Sequence, residues 1–356
     1  MPRPISAVIH LKNFTHNLSV VRKHIGLAKI WSVMKADAYG HSIEQVWKAL
    51  SATDGFAILD LNEAILLRDK GWKGPILLLE GFFQSEDLEI IHQYQLTTAV
   101  HSNWQLDAID KMRTNSSISV YVKLNSGMNR LGFNSCEYAQ VIKRLISMPN
   151  VDAVTLMTHF ANSDVATGTD APHQTLKPFI DGSLPICAAN SGAILWHPDT
   201  HYDWVRSGII LYGASPSGKW QDIADKNLKA TMTLQSKIIA IHGINSNESI
   251  GYGSKFTAKK TLRIATVACG YADGYPRHAP TGTPVWLKGT RCSLLGAVSM
   301  DMLTIDVSEV PTAEIDDTVE LWGQNLPVDD IAEAAGTIGY ELMCALAKRV
   351  PVIYEK

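Results

Sequence analysis

Cysteine is sparse and unpaired: Cys136, Cys187, Cys269, Cys292 and Cys344 are scattered singly over 356 residues, with no Cys-x-x-Cys pair. That argues against a disulfide framework or a zinc ribbon, and it fits reduced thiols in the cytoplasm. No stretch reaches the ~20 apolar residues of a membrane span, and Met1-Pro2-Arg3-Pro4 opens no signal peptide. Basic excess is missing too: Lys+Arg 32 against Asp+Glu 35 leaves a net charge of -3. Nothing there would neutralise the phosphates of a nucleic acid. Twelve histidines include no His-Glu-x-x-His run or other ligand spacing, so no metal site is expected. With 46% hydrophobic and 19% charged residues, disorder and low complexity are also excluded. At roughly 100 to 200 residues per domain, the length predicts a soluble protein of about two domains.

What is present is a change of grammar along the chain. From about residue 28 to 215, short apolar runs alternate with longer segments of helical period. The runs are 30–34, 55–59, 76–79, 97–100, 118–124, 154–157, 186–189 and 202–206. Between them, 43–50, 62–70, 85–94, 103–112 and 137–146 carry apolar residues at helical spacing, some behind Ser or Asn caps. Repeats of this size predict an α/β fold, a (β/α)8 TIM-type barrel, with a doubly wound open sheet as the competing architecture. The eighth strand is ambiguous because 209–212 is equally apolar. Arg206-Ser207-Gly208-Ile209 reads as strand end, turn and helix start.

After about residue 228, long β-branched runs take over, including 232–244, 262–268, 292–299 and 319–322, with a helical pair at 328–335 and 340–348. The expected organisation is a strand within 1–11 joining the C-terminal domain, a barrel over 12–227, and a mostly β domain over 228–356.

The first barrel run ends in Val33-Met34-Lys35, which puts a lysine where a buried parallel strand opens onto the catalytic face of a barrel. A lysine there suits covalent capture of a carbonyl, because burial and neighbouring cations release its free amine. A snorkelling surface charge would look the same. Gly213-Ala214-Ser215-Pro216-Ser217-Gly218-Lys219-Trp220 approaches a phosphate-binding P-loop, but Trp220 stands where Ser or Thr must ligate magnesium, so it reads as a loop.

The segment Lys35-Ala36-Asp37-Ala38-Tyr39-Gly40-His41 closely resembles the pyridoxal phosphate (PLP) attachment motif of alanine racemases. Further blocks resemble that family in its order: Met128-Asn129-Arg130-Leu131-Gly132, Met157-Thr158-His159-Phe160-Ala161, Asn190-Ser191, Val205-Arg206-Ser207-Gly208-Ile209, Gly251-Tyr252-Gly253, Gly270-Tyr271-Ala272-Asp273-Gly274-Tyr275-Pro276-Arg277 and Val298-Ser299-Met300-Asp301-Met302. Trp72-Lys73-Gly74-Pro75, Leu79-Glu80-Gly81-Phe82-Phe83 and Glu341-Leu342-Met343-Cys344-Ala345-Leu346 look especially like its catabolic branch.

The resemblance implies a PLP-binding barrel followed by a β-rich domain, working as a head-to-tail homodimer with shared active sites. It implies that Lys35 carries PLP as an internal aldimine and handles the α proton of D-alanine, and that Tyr252 is the opposite base for L-alanine. Two bases on opposite faces are what inversion requires. Because free tyrosine titrates near ~10, a tyrosine base needs cationic or hydrogen-bonding help; His159 and Arg206 are the candidates for it. Arg206 also matches the partner of the cofactor's pyridine nitrogen, where a guanidinium donates without giving up its proton.

By the same likeness, Ser191, Gly208, Ile209, Tyr39 and Tyr340 hold the phosphate. Arg130 and Met300 contact the substrate, Lys123 supports Arg130, in many relatives as a carbamate, and Tyr271 and Asp301 narrow the entrance. Departures from the family pattern are Ser207, Gly192 and Ala297. Rival readings on the same plan are a broad-specificity racemase, a basic amino acid decarboxylase and a non-catalytic PLP carrier; the carrier resembles only the barrel half.

Overall fold

The computed structural model describes residues 3–112 and 117–355. The chain divides into two compact units: one is Leu18–Ala38 with Ser42–Leu211, the other the segment up to Asn17, Tyr39–His41 and everything from Tyr212. β1 (Ile5–His10) belongs to the latter.

The first unit is a closed parallel barrel of β2 (Lys29–Val33), β3 (Gly55–Ile58), β4 (Ile76–Leu78), β5 (Thr97–Val100), β6 (Ile118–Lys123), β7 (Val151–Met157), β8 (Ile186–Cys187) and β9 (Trp204–Ser207). β9 pairs back onto β2, with Trp31 opposite Arg206, so the open-sheet alternative is excluded. The ambiguous 209–212 segment is a 3-10 turn, and β9 is the eighth strand. β7 starts at Val151, earlier than its apolar run.

Large aromatics help fill the barrel. Trp31 stacks on Trp204 at 4.4 Å between centroids and meets Tyr121 edge-on, its Nε1 donating to the Tyr121 hydroxyl at 3.1 Å. A Cβ at Gly55 would lie 2.3 Å from the Trp31 ring, so only glycine leaves room for that indole. Helix starts follow the sequence: Asp60 caps Leu61–Asp69 through Asn62 N, and Asn134 with Glu137 forms a capping box on Ser135–Ser147.

The other unit is antiparallel apart from one pair. Its strands are β1, β10 (Met232–Ile244), β13 (Leu262–Val267), β14 (Pro284–Leu287), β15 (Thr290–Leu295), β16 (Leu303–Asp306), β17 (Thr318–Trp322) and β18 (Val352–Glu355), with β11 (Ser249–Ile250) and β12 (Phe256–Thr257) forming a separate hairpin. Because β13 pairs with both β16 and β10, strands β10, β13, β16, β15, β14 and β17 close into a ring. β1 runs antiparallel to β10 and parallel to β18.

Two elements of this unit end several residues before their sequence runs. β15 stops at Leu295 because Gly296 turns to φ +71. The last helix is Gly339–Cys344, and Ala347 N donates instead to Asp273 O.

In this unit the carboxyl group of Asp329 is buried. It accepts from Ser215 N at 2.9 Å through Oδ2, while Oδ1 has no partner. Burial, with Asp330 adding to it, raises its pKa to about 7. A carboxyl raised in the folded state favours folding while protonated. That contribution is complete below the unfolded value near ~4 and is lost as pH rises through about 7, a loss of at most about 4 kcal/mol. Asp329→Asn should therefore melt increasingly above the parent protein as pH is raised from 5 to 8. A difference in melting temperature that stays flat across that range would refute this account.

Candidate active site

Lys35 follows β2 and opens a helical turn of the uncommon hand. Ala36, Asp37, Ala38 and Tyr39 have φ of +53, +51, +53 and +52. Left-handed helix costs L-residues roughly 1–2 kcal/mol each, so neighbours must hold the turn. Ala38 N donates to Met34 O at 2.9 Å and Asp37 N to Glu63 Oε1 at 2.8 Å, while Asp37 Oδ1 accepts from Ile43 N at 2.7 Å. Glu63 Oε2 is buried without a partner, and burial raises that carboxyl's pKa. No glycine or Asn pattern at 36–39 marks this turn in the sequence.

Five of the candidate residues come together in the barrel unit. Arg206, 4% exposed, projects from β9 and donates through Nη1 to Cys187 O (2.8 Å) and Sγ (3.1 Å). Through Nη2 it donates to Thr158 O (2.7 Å), Ala188 O (2.9 Å) and His159 Nδ1 (3.3 Å). Its Nε has no hydrogen-bond partner among the described residues. Because Nδ1 of His159 accepts, a neutral ring carries its proton on Nε2. Burial, then Arg206, Lys123, Arg130 and Lys35, holds the His159 pKa well below its ordinary value.

Lys123, at the end of β6 and 6% exposed, is lowered to about 8 by burial, then by Arg206 and Arg130, with Glu80 opposing. Arg130 itself is exposed. The result is one electropositive cluster of Lys35, Lys123, Arg130 and Arg206 around a neutral imidazole.

Beside it, Ser191 Oγ accepts from Gly208 N at 2.9 Å, and Ile209 N donates to no described residue. Asn190 caps Ser191–Trp196 by accepting from Ala193 N. A Cβ at Gly192 would stand 2.6 Å from Ser163 Oγ, which donates to Asn190 Oδ1 at 2.6 Å. The glycine is what lets Ser163 brace the cap.

The remaining candidates lie in the other unit. Tyr39 packs at a tilt against Tyr212 and Tyr340, with centroids 4.4 and 5.6 Å away, and burial, then Tyr340 and Cys344, pushes its pKa well above the ordinary tyrosine value. It therefore remains a neutral hydroxyl. Tyr252 sits in the β11–β12 hairpin between Gly251 and Gly253, at φ +68 and +72. Ile250 and Phe256 anchor that hairpin in an apolar cluster with Ile244, Leu262, Ile264 and Leu295. Tyr252 is 74% exposed, and its hydroxyl has no partner among the described residues.

Tyr271, Met300 and Asp301 share a pair of linked loops: Tyr271 N donates to Ser299 O and Ala272 N to Met300 O. Sequence reading gave no role to Glu63, Asp273, Cys187 or Arg349. Asp273 lies inside a quoted motif, whereas nothing local marks Arg349.

Comparison with known proteins covers nearly the whole chain. Residues 9–216 match the family model described as alanine racemase, N-terminal domain, and 231–354 that for the C-terminal domain. The catabolic alanine racemase of Salmonella typhimurium is 54% identical over 354 residues, covering 99% of each chain. The crystal structure of the biosynthetic alanine racemase from Pseudomonas aeruginosa superposes with a TM-score of 0.95 at 39% identity, covering 99% of this chain and 100% of that one. That of the Bartonella henselae alanine racemase, which carries covalently bound pyridoxal phosphate, does so at 0.90 and 25% identity, covering 99% and 100%. The chain belongs to the alanine racemase family.

Proposed function

We propose that this enzyme, in interconverting L- and D-alanine, moves the α proton between Lys35 and Tyr252 with pyridoxal phosphate as its cofactor. The observation that carries the reading is the cluster of Lys35, Arg130 and Arg206 around His159, with Lys123 beside them and Glu80 opposing. A phosphate ester and an amino acid carboxylate are the anions such a cluster suits. Arg206 Nε, the one nitrogen of that side chain without a partner among the described residues, suits an aromatic nitrogen acceptor. The donor set therefore fits the cofactor. When bound, the cofactor supplies an electron sink that lets the α carbon of alanine lose its proton.

Lys35 would hold the cofactor covalently through Nζ. Ser191 and the amides of Gly208 and Ile209 would hold its phosphate. Arg206 would donate to its ring nitrogen while keeping its own proton, since a guanidinium stays charged and does not deprotonate in proteins. Arg130 and Met300 would orient the substrate carboxylate, and Tyr271 and Asp301 would restrict entry to small side chains.

On one face of the α carbon Lys35 Nζ takes or returns the proton; on the other, Tyr252 Oη does so. The orientation His159 keeps through Arg206 serves that second step. Tyr252 and Met300 come from a second copy of the chain, a reading supported by their exposure of 74% and 53%. The working unit is then a cytoplasmic homodimer.

Lys123 stabilises Arg130 as a carbamate. With its ammonium lowered to about 8, part of the lysine is free amine near neutrality. That amine adds carbon dioxide: an N–C bond forms, one proton leaves to solvent and an anion faces Arg130.

Formation of D-alanine from L-alanine by the PLP-loaded enzyme should be abolished in Lys35→Ala; turnover by that variant would remove Lys35 from its role. Tyr252→Phe and Lys35→Ala chains, each inactive alone, should regain part of the activity on mixing. No recovery despite demonstrated subunit exchange rules out the shared site. Carbon-13 bicarbonate should give a carbamate carbon signal that Lys123→Met lacks, and a spectrum without that signal at saturating bicarbonate means the lysine is unmodified.

A further inference from the structure

Asp273 is fully buried in the β-rich unit and gripped from two sides. Arg349 Nε donates to Oδ1 at 2.7 Å; Arg3 Nη2, at 3.3 Å, and Gly270 N, at 2.9 Å, donate to Oδ2. Both arginines also reach the neighbouring loop: Arg349 Nη2 donates to Asp301 Oδ1 at 2.7 Å and Arg3 Nη2 to Asp301 O at 2.7 Å. One carboxylate thus ties the segment of Tyr271 to that of Met300 and Asp301, with Arg349 bridging the two acids.

The backbone around it has no slack. A Cβ at Gly270 would fall 2.3 Å from Met300 O and Ser299 O, and one at Gly274, at φ +101, 2.4 Å from Ala345 O. Tyr271 and Met300 form the exposed edge of this frame, at 40% and 53%.

We propose that Asp273 and Arg349 are positioning residues of the racemase, fixing the separation of the Tyr271 and Met300–Asp301 loops and so the size of side chain the entrance admits. The proposal rests on the reading that those loops face the substrate. A guanidinium that donates from two of its nitrogens to two carboxylates holds them at a set spacing, which a lysine ammonium, a point charge, reproduces only in part. Arg349 is accessible enough to replace without emptying the core: its side chain is 38% exposed.

The test compares Arg349→Gln, Arg349→Lys and Tyr271→Ala as PLP-loaded enzymes, measuring kcat and KM for alanine and for serine, with melting temperature beside them. In Arg349→Gln, KM for alanine should rise about tenfold as the loops loosen, about 1.4 kcal/mol of substrate binding, with kcat nearly kept. Its preference for alanine over serine should fall, and Arg349→Lys should recover most of both. A parallel loss of kcat and melting temperature with KM and preference unchanged, or no gain from the lysine, would show a merely structural clamp and overturn the proposal. Tyr271→Ala separates the two layers. If it shifts the preference while Arg349→Gln does not, the proposal alone fails. If it too leaves KM and preference unchanged, the loops do not face the substrate and both readings fall.

Discussion

Everything at the barrel mouth depends on one buried guanidinium. Arg206 is held by three carbonyls, a thiol and an imidazole, with no carboxylate hydrogen-bonded to it among the described residues. Burying an unpaired charge is costly unless its hydrogen bonds are met, and here dipoles do that work rather than a counter-charge. The positive field therefore remains available to its neighbours. It helps keep His159 neutral and weakens the proton affinity of Lys123. A cleft lined by one sign of charge concentrates ions of the other sign, so this barrel mouth is suited to anions.

The turn after Lys35 complements this. Four consecutive non-glycine residues in the left-handed region are locally unfavourable, and Glu63 and Asp37 offset that by satisfying amides that a right-handed turn would have used differently. The turn that follows β2 is held by hydrogen bonds from outside it rather than by local preference.

That contrast explains what could be read in the chain beforehand. The eight buried runs and the period change near residue 228 depend on local hydrophobic spacing, and they survive in β2 to β9 and in β10, β13 and β17. The left-handed turn could not be seen, because Ala36-Asp37-Ala38-Tyr39 has no conformational signature of its own. Lys35, Arg206 and Tyr252 stood out through resemblance of their neighbourhoods to family blocks. Arg349 could not, since its partner Asp273 lies 76 residues away and nothing beside it announces the pairing. The end of β15 was overrun because Gly296 acts through its φ, which the apolar run does not reveal.

The position of β1 has a consequence for biosynthesis. Its partners are Ser236 to Met232 on β10 and Val352 to Glu355 on β18, so the earliest described strand cannot complete its sheet until the last has left the ribosome. Until β10 emerges, Ile5-Ser6-Ala7-Val8-Ile9 is a largely apolar strand with two open edges, and one edge stays open until β18 follows, the kind of segment that invites pairing between nascent chains. The barrel strands find their neighbours in order as they emerge, whereas the β-rich unit must wait. Vectorial folding should therefore pass through a state with a formed barrel and a tethered, unsatisfied N-terminal strand, and it is there, more than in the finished enzyme, that a chaperone would find its substrate.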